Sequence, residues 1–570
     1  MKNFNSHQSF SLESFARKGS NYYQQMVDAN GQPYFNIFWT DPAEAAHDWP
    51  DFADVTARQL QAVIMLRRMT GMELPIEKIW LNNLLALIDP ASGLIQRPNT
   101  HYAHGDNGDS FLGDQALTLY ALATAYLDNP DEKLRLIILK LIAGIDRYIK
   151  TTRKEKDILM FGFLVKSLIV SARYLHSEQA LALSAWIVRK IFDEDLLFTP
   201  DNQFHRGSHV HSMLRTLVGV ADYAVYAGDP IIFSRANSLY QSFKKLSTRF
   251  GFIPEVVHRQ GDLVACETCA LMDYVGLAVT LANHGHNEYW GDVERIVRNH
   301  LIESQVTDAS WLRSDNSRED TEQFTWRDID KRMIGGYAGW SSPTHLLAYE
   351  ETLTWWGGAE LKNKIRAFQN CCAGSGTHAL FIAWKNIARF EDDTLSIHLH
   401  LDKLLPQAEI RCYQPFQGFL TIHLKQSCYL QVRIPDFVSP QQLTIESDHQ
   451  AIEPMVWRNF VRLGYREAGE MIKISYPLPI RTETEMIGNP GFRQYPYQVT
   501  WKGDTVLRIE PLGKNYDTGY SEVEGKEVRC YYGEQGPGRL YQRDDWLQDK
   551  PVTLTKLFLD DLTLDIWKIK

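Results

Sequence analysis

The residues of this chain best suited to chemistry lie in two short segments. The first runs from Ala367 to Leu380 and reads Ala-Phe-Gln-Asn-Cys371-Cys372-Ala-Gly-Ser-Gly-Thr-His-Ala-Leu. Gly374 and Gly376 carry no Cβ and permit a sharp bend, which predicts a helix from Ala379 to Arg389 capped by Ser375 or Thr377. A helix N-terminus offers unpaired N–H groups and a partial positive charge, so it favours thiolate over thiol. The second segment, Ala265-Cys266-Glu267-Thr268-Cys269-Ala270, places a carboxylate and a thiol two positions apart. Glu267, Cys269, Cys371 and Cys372 together offer one carboxylate and three sulfurs, a tetrahedral set that suits Zn2+. Neither segment has zinc-finger spacing.

Three further stretches carry groups that could serve acid–base chemistry or binding. They are Gly251-Phe-Ile-Pro-Glu255-Val-Val-His258, Gly207-Ser-His209-Val-His211-Ser, and His101-Tyr-Ala-His104-Gly-Asp106-Asn-Gly-Asp109. Taken singly, each has an ordinary reading: Glu255 as a solvated loop acid, His209 and His211 as cap or core histidines, and the His101 stretch as a polar turn.

The elements that must position these residues follow from hydrophobic period. From about Asp54 to Arg389 apolar residues recur at helical spacing, as in Leu60, Val63 and Ile64, or Leu134, Ile137, Ile138, Leu141 and Ile145. Further runs follow at Phe161–Leu175, Glu178–Ile191, His211–Tyr226, Pro230–Leu246, Cys269–Asn283 and Asp292–Leu301. Antiparallel helices without intervening strands predict an (α/α)6 helical barrel over residues 51–390. At Glu391 the period falls to two. Leu395, Ile397, Leu399 and Leu401 alternate with polar residues, as do Leu420, Ile422 and Leu424, which predicts an antiparallel β-sandwich over 391–570. Residues 1–50 fit either the sandwich or the barrel.

Composition narrows the function classes. The 570 residues are 44% hydrophobic and 23% charged, an ordinary globular balance. A net charge of −10 and a pI near 6.0 argue against nucleic acid and anionic membrane as partners. The N-terminus lacks the apolar core of a secretory signal, and no stretch is long enough to span a bilayer, so a soluble, cytoplasmic protein is expected. A reducing compartment keeps a vicinal cysteine pair as thiols. Cys412, Cys428 and Cys530 fall in strand-like sequence and read as small buried hydrophobes. Fifteen Trp and 26 Tyr suit stacking on sugar rings, although large cores use them as well.

Read together, Glu255, Glu267-Thr-Cys269 and Cys371-Cys372 in this order resemble glycoside hydrolase family 127, the bacterial β-L-arabinofuranosidases once known only as a domain of unknown function. The resemblance runs from about residue 50 to 480. It includes His209-Val-His211-Ser with Gly219 and Tyr226-Ala-Gly-Asp229, the helix Tyr289-Trp-Gly-Asp292-Val-Glu-Arg295 with Asn299, and the strand Val432-Arg-Ile-Pro-Asp-Phe437. It implies a helical barrel with a β-sandwich and a zinc held by Glu267, Cys269, Cys371 and Cys372. It also implies Cys371 as nucleophile and Glu255 as general acid/base, with His209, His211 and Tyr337 lining a sugar pocket. The chain departs from the family's pattern where Ala373-Gly374-Ser375 stands for Pro-Pro-Asn after the cysteines, and where His211 stands for an Asn. The implied substrate is a terminal pentofuranose or related sugar in a small carbohydrate or oligosaccharide; a homodimer is an open expectation. Two rival readings remain: a metal-independent polysaccharide lyase or unsaturated-uronide hydrolase on the same barrel, which needs an Arg/Lys-rich funnel, and a non-catalytic carbohydrate-binding protein stapled by zinc.

Overall fold

The computed structural model describes residues 10–100, 111–151, 158–205, 208–257, 265–347, 366–448, 450–488, 494–512, 538–544 and 547. In chain order its helices are α1 (Leu12–Gln25), α2 (Asp54–Thr70), α3 (Ile76–Ala86), α4 (Leu112–Asp128), α5 (Glu132–Thr151), α6 (Ile158–Tyr174), α7 (Glu178–Asp193), α8 (Val210–Ala227), α9 (Pro230–Lys244), α10 (Thr268–Asn283), α11 (Trp290–Ile296, continued by a π turn to Leu301), the single turn α12 (Ile329–Arg332), and α13 (Cys371–Lys385).

Their packing closes a double ring. Helices α2, α4, α6, α8, α10 and α13 lie side by side in that order, and α13 returns to α2. Behind them α3, α5, α7, α9 and α11 each back the inner helix that precedes them in the chain. The sequence dictates the two layers. Helix α4 is buried at every position from Leu112 to Ala125 and must be enclosed, whereas α5 buries only Leu134, Ile138, Leu141, Ile142, Gly144, Ile145 and Ile149, the stripe of an outer helix.

The twelfth position of the (α/α)6 barrel belongs to α1. It packs on both α2 and α13. The Tyr23 hydroxyl bonds the Ala373 carbonyl at 2.9 Å and Thr377 Oγ1 at 2.8 Å, and Trp384 Nε1 donates to Glu13 Oε1 at 2.6 Å. Of the two places the sequence left open for the N-terminal segment, this helix takes the barrel.

The sandwich begins at Ala388, three residues before the change of period at Glu391. One sheet runs Met455–Trp457, Phe460–Arg466, Cys428–Arg433, Thr394–Ile397, Ala388–Glu391. The facing sheet runs Lys403–Leu404, Ala408–Cys412, Phe419–Leu424, Met471–Ser475, Thr444–Ser447, Gln450–Ala451. The alternating residues Leu395, Ile397, Leu420, Ile422 and Leu424 fill the core between them. One pair departs from the antiparallel expectation: Thr394–Ile397 runs parallel to Cys428–Arg433, because the chain crosses to the opposite sheet between the two strands. Alternation marks which side chains face inward but not which way the neighbouring strand runs. A separate three-stranded sheet, Ile480–Gly488, Gln494–Lys502 and Thr505–Glu510, turns Tyr497, Val499, Trp501 and Val506 into the helical core rather than the sandwich core.

Barrel and sandwich meet at α11. Arg295 bonds Asp292 at 2.7 Å and Asp436 at 2.5 Å, and Trp290 stacks on His398 with ring centres 4.2 Å apart. Gly291 lets the Asp436 carboxylate come close, since a Cβ there would sit 2.1 Å from Oδ2 and would push that carboxylate away. Buried Glu294 accepts from Arg298 at 2.7 Å, from Arg433, and from the His400 N–H at 2.9 Å. Asn299 ties in the third sheet through the Asp504 carbonyl and the Val506 N–H. Two of the stretches that carry the family resemblance, Tyr289–Asn299 and Val432–Phe437, are therefore the two sides of one joint. Burial opposes ionisation of Glu294, but Arg298 and Arg433 outweigh it and hold the carboxyl well below the usual carboxylate range. Its pairing therefore contributes fully above the ordinary glutamate pKa of about 4.3 and is lost as pH falls below that value. Glu294→Gln should cost roughly 3–5 kcal/mol in denaturant unfolding at neutral pH, since it leaves two buried guanidiniums short of a counter-charge, and should flatten the acid-side loss of stability.

Candidate metal centre

Three inner helices are launched from short β-ladders, and the residue that caps each launch lies at or beside the candidate site. Ser208–His209 pairs with Val256–Val257 before α8, and Cys266–Glu267 pairs with Trp340–Ser341 before α10. Arg366–Gln369 pairs with Asn36–Phe38 before α13, where the Asn370 N–H reaches the Phe35 carbonyl at 2.9 Å. The N-cap residues are His209, Glu267 and Asn370, and none of them caps its helix with its side chain; His209 Nδ1 meets Ser212 Oγ at 3.0 Å and leaves Nε2 for other partners. The imidazole and the carboxylate are thus available to meet each other, with the thiols of the first turns of α10 and α13 beside them.

The structure brings together all four residues of the carboxylate and thiol set. Ligand atoms of Glu267, Cys269, Cys371 and Cys372 lie within 4.8 Å of one another and could hold a metal ion. Cys269 Sγ is 3.4 Å and Cys371 Sγ 3.9 Å from Cys372 Sγ, with Glu267 Oε1 at 4.0 Å from the same sulfur. A tetrahedral site with metal–sulfur bonds of about 2.3 Å has sulfur–sulfur edges of roughly 3.8 Å, so the donors fit such an ion in both chemistry and spacing. Phe35 and Val55 pack against the three sulfurs. The thiols are not equivalent: Cys269 and Cys372 are fully buried, while Cys371 keeps 8% of its surface exposed.

Glu267 belongs to a second group as well. Its Oε2 meets His209 Nε2 at 2.8 Å, and Glu255 Oε1 stands 4.0 Å from the same nitrogen. Burial works against a charged His209 ring, yet Glu267 and then Glu255 raise its pKa to about 9. Hydrogen bonds from Cys269 and Cys372, with the Arg58 cation near by, pull Cys371 down to about 6 against the effect of burial. Burial pushes Cys269 and Cys372 the other way. Of the three thiols, Cys371 is thus the one whose surroundings favour the thiolate.

Arg58, on the first turns of α2, escaped the sequence reading. Its Nε bonds Asp54 at 2.5 Å, and its Nη1 lies 3.3 Å from His211 Nε2, 3.4 Å from Ser375 Oγ and 3.8 Å from Cys269 Sγ. The i,i+4 spacing of Asp54 and Arg58 is that of any helical ion pair, so no signal marks it. Ser375 donates to Cys269 Sγ at 3.2 Å from the position that departs from the family's Pro-Pro-Asn. His211 is buried a layer below the thiols, with Nδ1 on Asp273 at 2.7 Å and Nε2 toward Arg58. Tyr337 is 1% exposed, its ring against Gly376 of α13.

The expected bend at the glycines is absent. Helix α13 starts at Cys371 and passes straight through Gly374 and Gly376, which serve close packing instead: added Cβ atoms would lie 2.9 Å from the Arg58 backbone and 2.3 Å from Tyr337 Cγ. Cys412 and Cys428 are buried as expected, whereas the His101–Asp109 stretch, His258 and Cys530 lie outside the described residues.

No family model and no curated protein matches the chain. Solved structures do. The chain is similar to a GH127 β-L-arabinofuranosidase from Geobacillus stearothermophilus T6, with 14% identity and a TM-score of 0.56, covering 87% of this chain and 80% of that one. It is similar to a structure described as a glycoside hydrolase, at 13% identity and TM-score 0.56 over 85% of each chain. A GH127 β-arabinofuranosidase follows at 12% identity and TM-score 0.55, covering 87% and 81%. At these identities the likeness establishes the fold. No described helix is long and apolar enough to cross a membrane.

In metal-free protein Cys371 should be the first thiol alkylated and should titrate near 6 by thiolate absorbance. Arg58→Met should move that titration upward, because a cation beside the sulfur is lost; an unchanged titration would separate Arg58 from the thiolate.

Proposed function

We propose that the protein is a zinc-dependent retaining glycoside hydrolase of the β-L-arabinofuranosidase kind, acting in a reducing compartment such as the cytoplasm on a terminal pentofuranose or related sugar. The observation that carries this reading is the double engagement of Glu267, one oxygen toward the thiols and the other toward His209, which stands beside Glu255. A purely structural metal site has no need of a second, partly exposed carboxylate next to it.

Glu267, Cys269, Cys371 and Cys372 would hold the zinc, which when bound supplies positive charge that keeps the sulfurs deprotonated at neutral pH. Cys371 is the thiol with surface exposed, so its Sγ is the sulfur able to reach an anomeric carbon. In the first step a carbon–sulfur bond forms as the glycosidic carbon–oxygen bond breaks, and Glu255 gives its proton to the departing oxygen. In the second, Glu255 takes a proton from water, whose oxygen attacks the same carbon and releases the Cys371 thiolate. Two inversions leave the configuration retained. His209 would fix the Glu267 carboxylate and offer a hydrogen bond to a sugar hydroxyl.

The two rival readings fare less well. A lyase or uronide hydrolase needs cations around the bound acid, and the arginine the structure puts against the thiols, Arg58, is already engaged with Asp54. A zinc staple leaves the exposure of Cys371 and the Glu255–His209–Glu267 group without a use.

Purified protein should carry one zinc per chain, and Cys269→Ser should lose it. Glu255→Gln should keep zinc and fold while losing ~10²–10⁴-fold in turnover of alkyl glycosides, with a smaller loss for aryl leaving groups that depart unprotonated. Cys371→Ser should abolish turnover with every leaving group. Full activity of Glu255→Gln would overturn the assignment of acid and base.

A further inference from the structure

The carboxylate that joins the thiol set to His209 also closes a second set of donors. His209, Glu255 and Glu267 offer one ligand atom each, all within 4.8 Å of one another. His209 Nε2 lies 2.8 Å from Glu267 Oε2 and 4.0 Å from Glu255 Oε1. Metal–nitrogen and metal–oxygen bonds of about 2.0–2.1 Å in a tetrahedron give edges of roughly 3.4 Å, between those two distances. Small side-chain rotations therefore seat an ion among the three.

The backbone fixes these donors against one another. Ser208–His209 pairs with Val256–Val257, and the Val210 N–H bonds the Glu255 carbonyl at 2.8 Å. The Glu255 N–H in turn bonds the Ala265 carbonyl at 2.9 Å, two residues before Glu267. His209 Nδ1 meets Ser212 Oγ at 3.0 Å, which orients the ring and leaves Nε2 to a ligand, the way metal-binding histidines are held. Charge points in the same direction. Three thiolates and a carboxylate around one dication carry two net negative charges, and ionised Glu255 adds a third; Arg58, near the sulfurs, is bonded to Asp54.

We propose that His209 Nε2, Glu255 Oε1 and Glu267 Oε2 form a second, weaker site for Zn2+, in which Glu267 bridges two ions, and that filling it inhibits the enzyme. The thiol set takes Glu267 through Oε1, 4.0 Å from Cys372 Sγ, and leaves Oε2 for the second ion. Ligation needs a neutral imidazole and ionised carboxylates, so the protons held on His209 and Glu255 leave as the ion enters. Water completes the coordination from the open side, where the His209 side chain is 35% and that of Glu255 16% exposed. A carboxylate held by a dication carries no proton for the departing oxygen, so turnover stops at the first step. Competition with protons and the lack of sulfur donors make this the weaker of the two sites. Mg2+, which demands near-octahedral oxygen ligation, does not suit one nitrogen and two oxygens. The site itself stands on the geometry of its three donors; its inhibitory effect rests on the glycosidase reading above.

The test is equilibrium dialysis of the purified full-length protein against rising Zn2+, with metal counted per chain, and a parallel titration of metal-depleted protein with Co2+. Zinc should rise from one to two per chain. The first Co2+ should show thiolate-to-metal charge-transfer absorption, and the second should add visible bands without it. His209→Gln and Glu255→Gln should each keep the first ion and bind the second about tenfold or more weakly. Mg2+ should not fill the site, and turnover of an aryl glycoside by the parent should fall as the second zinc binds. A single zinc per chain at every concentration, equal uptake of Mg2+, or extra ions held undiminished by both variants, as adventitious surface ions would be, would overturn the site. Unchanged turnover with two zincs bound would overturn the inhibition. Absence of the charge-transfer absorption alone would overturn the bridge, and with it the thiol site proposed above.

Discussion

The closure of α13 onto α2 is the constraint on which the rest of the molecule depends. A ring of six inner helices is complete only when its last member packs against its first, and here the approach is so close that a Cβ at Gly374 would strike the Arg58 backbone. That seam brings Cys371 and Cys372, carried by the last inner helix, beside Cys269 of α10 and beneath the guanidinium of the first. α1 sits across the seam from outside, its Tyr23 hydroxyl on the Ala373 carbonyl one residue after the cysteine pair. The geometry of the thiols is thus a product of the whole toroid, since no local segment contains more than two of the donors.

The same ring divides its lumen in two. Between the thiols and a lumen cavity of about 730 Å³, lined among others by Lys166, Arg215 and Trp384, lies one layer of side chains, Arg58, His211 and Asp273, joined by contacts of 3.3 and 2.7 Å. Asp273 faces both ways, toward His211 on one side and Arg215 of the cavity wall on the other. Residue types are sorted accordingly, with Glu267, Cys269, Cys371 and Cys372 at the end where the inner helices begin and Lys166, Arg173 and Arg215 lining the lumen toward the end where they finish. Helix dipoles reinforce the first half of that arrangement, because the N-termini of α10 and α13 face the thiols.

Much of this was legible in the sequence, and the limits have physical causes. Period placed the first strand of the sandwich three residues late, at Glu391 for Ala388, and ran the last helix four residues too far, to Arg389 for Lys385; it works because burial of one helical stripe or one sheet face leaves a mark at every second or every third-to-fourth residue. The cluster of Glu267, Cys269, Cys371 and Cys372 was legible because the residues themselves, one carboxylate and three thiols in two short segments, suggest convergence. Arg58 was not, since its role rests on closure of a ring and its local pattern is that of an ordinary ion pair. Gly374 and Gly376 suggest a bend in the sequence because glycine permits both turns and close approach, and only the neighbour across the gap tells which. The strand direction at Thr394–Ile397 and the burial of Tyr337 and His211 likewise depend on partners distant in the chain.

The two glutamates show how position on the scaffold separates the roles that residue type leaves equal. Glu267 ends a two-residue ladder as the N-cap of α10, is 5% exposed, and has each oxygen taken by a different neighbour. Such a carboxylate is held in place and suits ligation. Glu255 lies at the end of an irregular segment, its backbone pinned by bonds from the Val210 N–H and to the Ala265 carbonyl, with a side chain 16% exposed. A fixed backbone with a carboxylate at the edge of solvent suits the role proposed for Glu255, which would give a proton to the leaving oxygen in one step and take one from water in the next. His209 stands between them, 2.8 Å from one and 4.0 Å from the other, and its charge offsets the repulsion that two neighbouring carboxylates would otherwise exert.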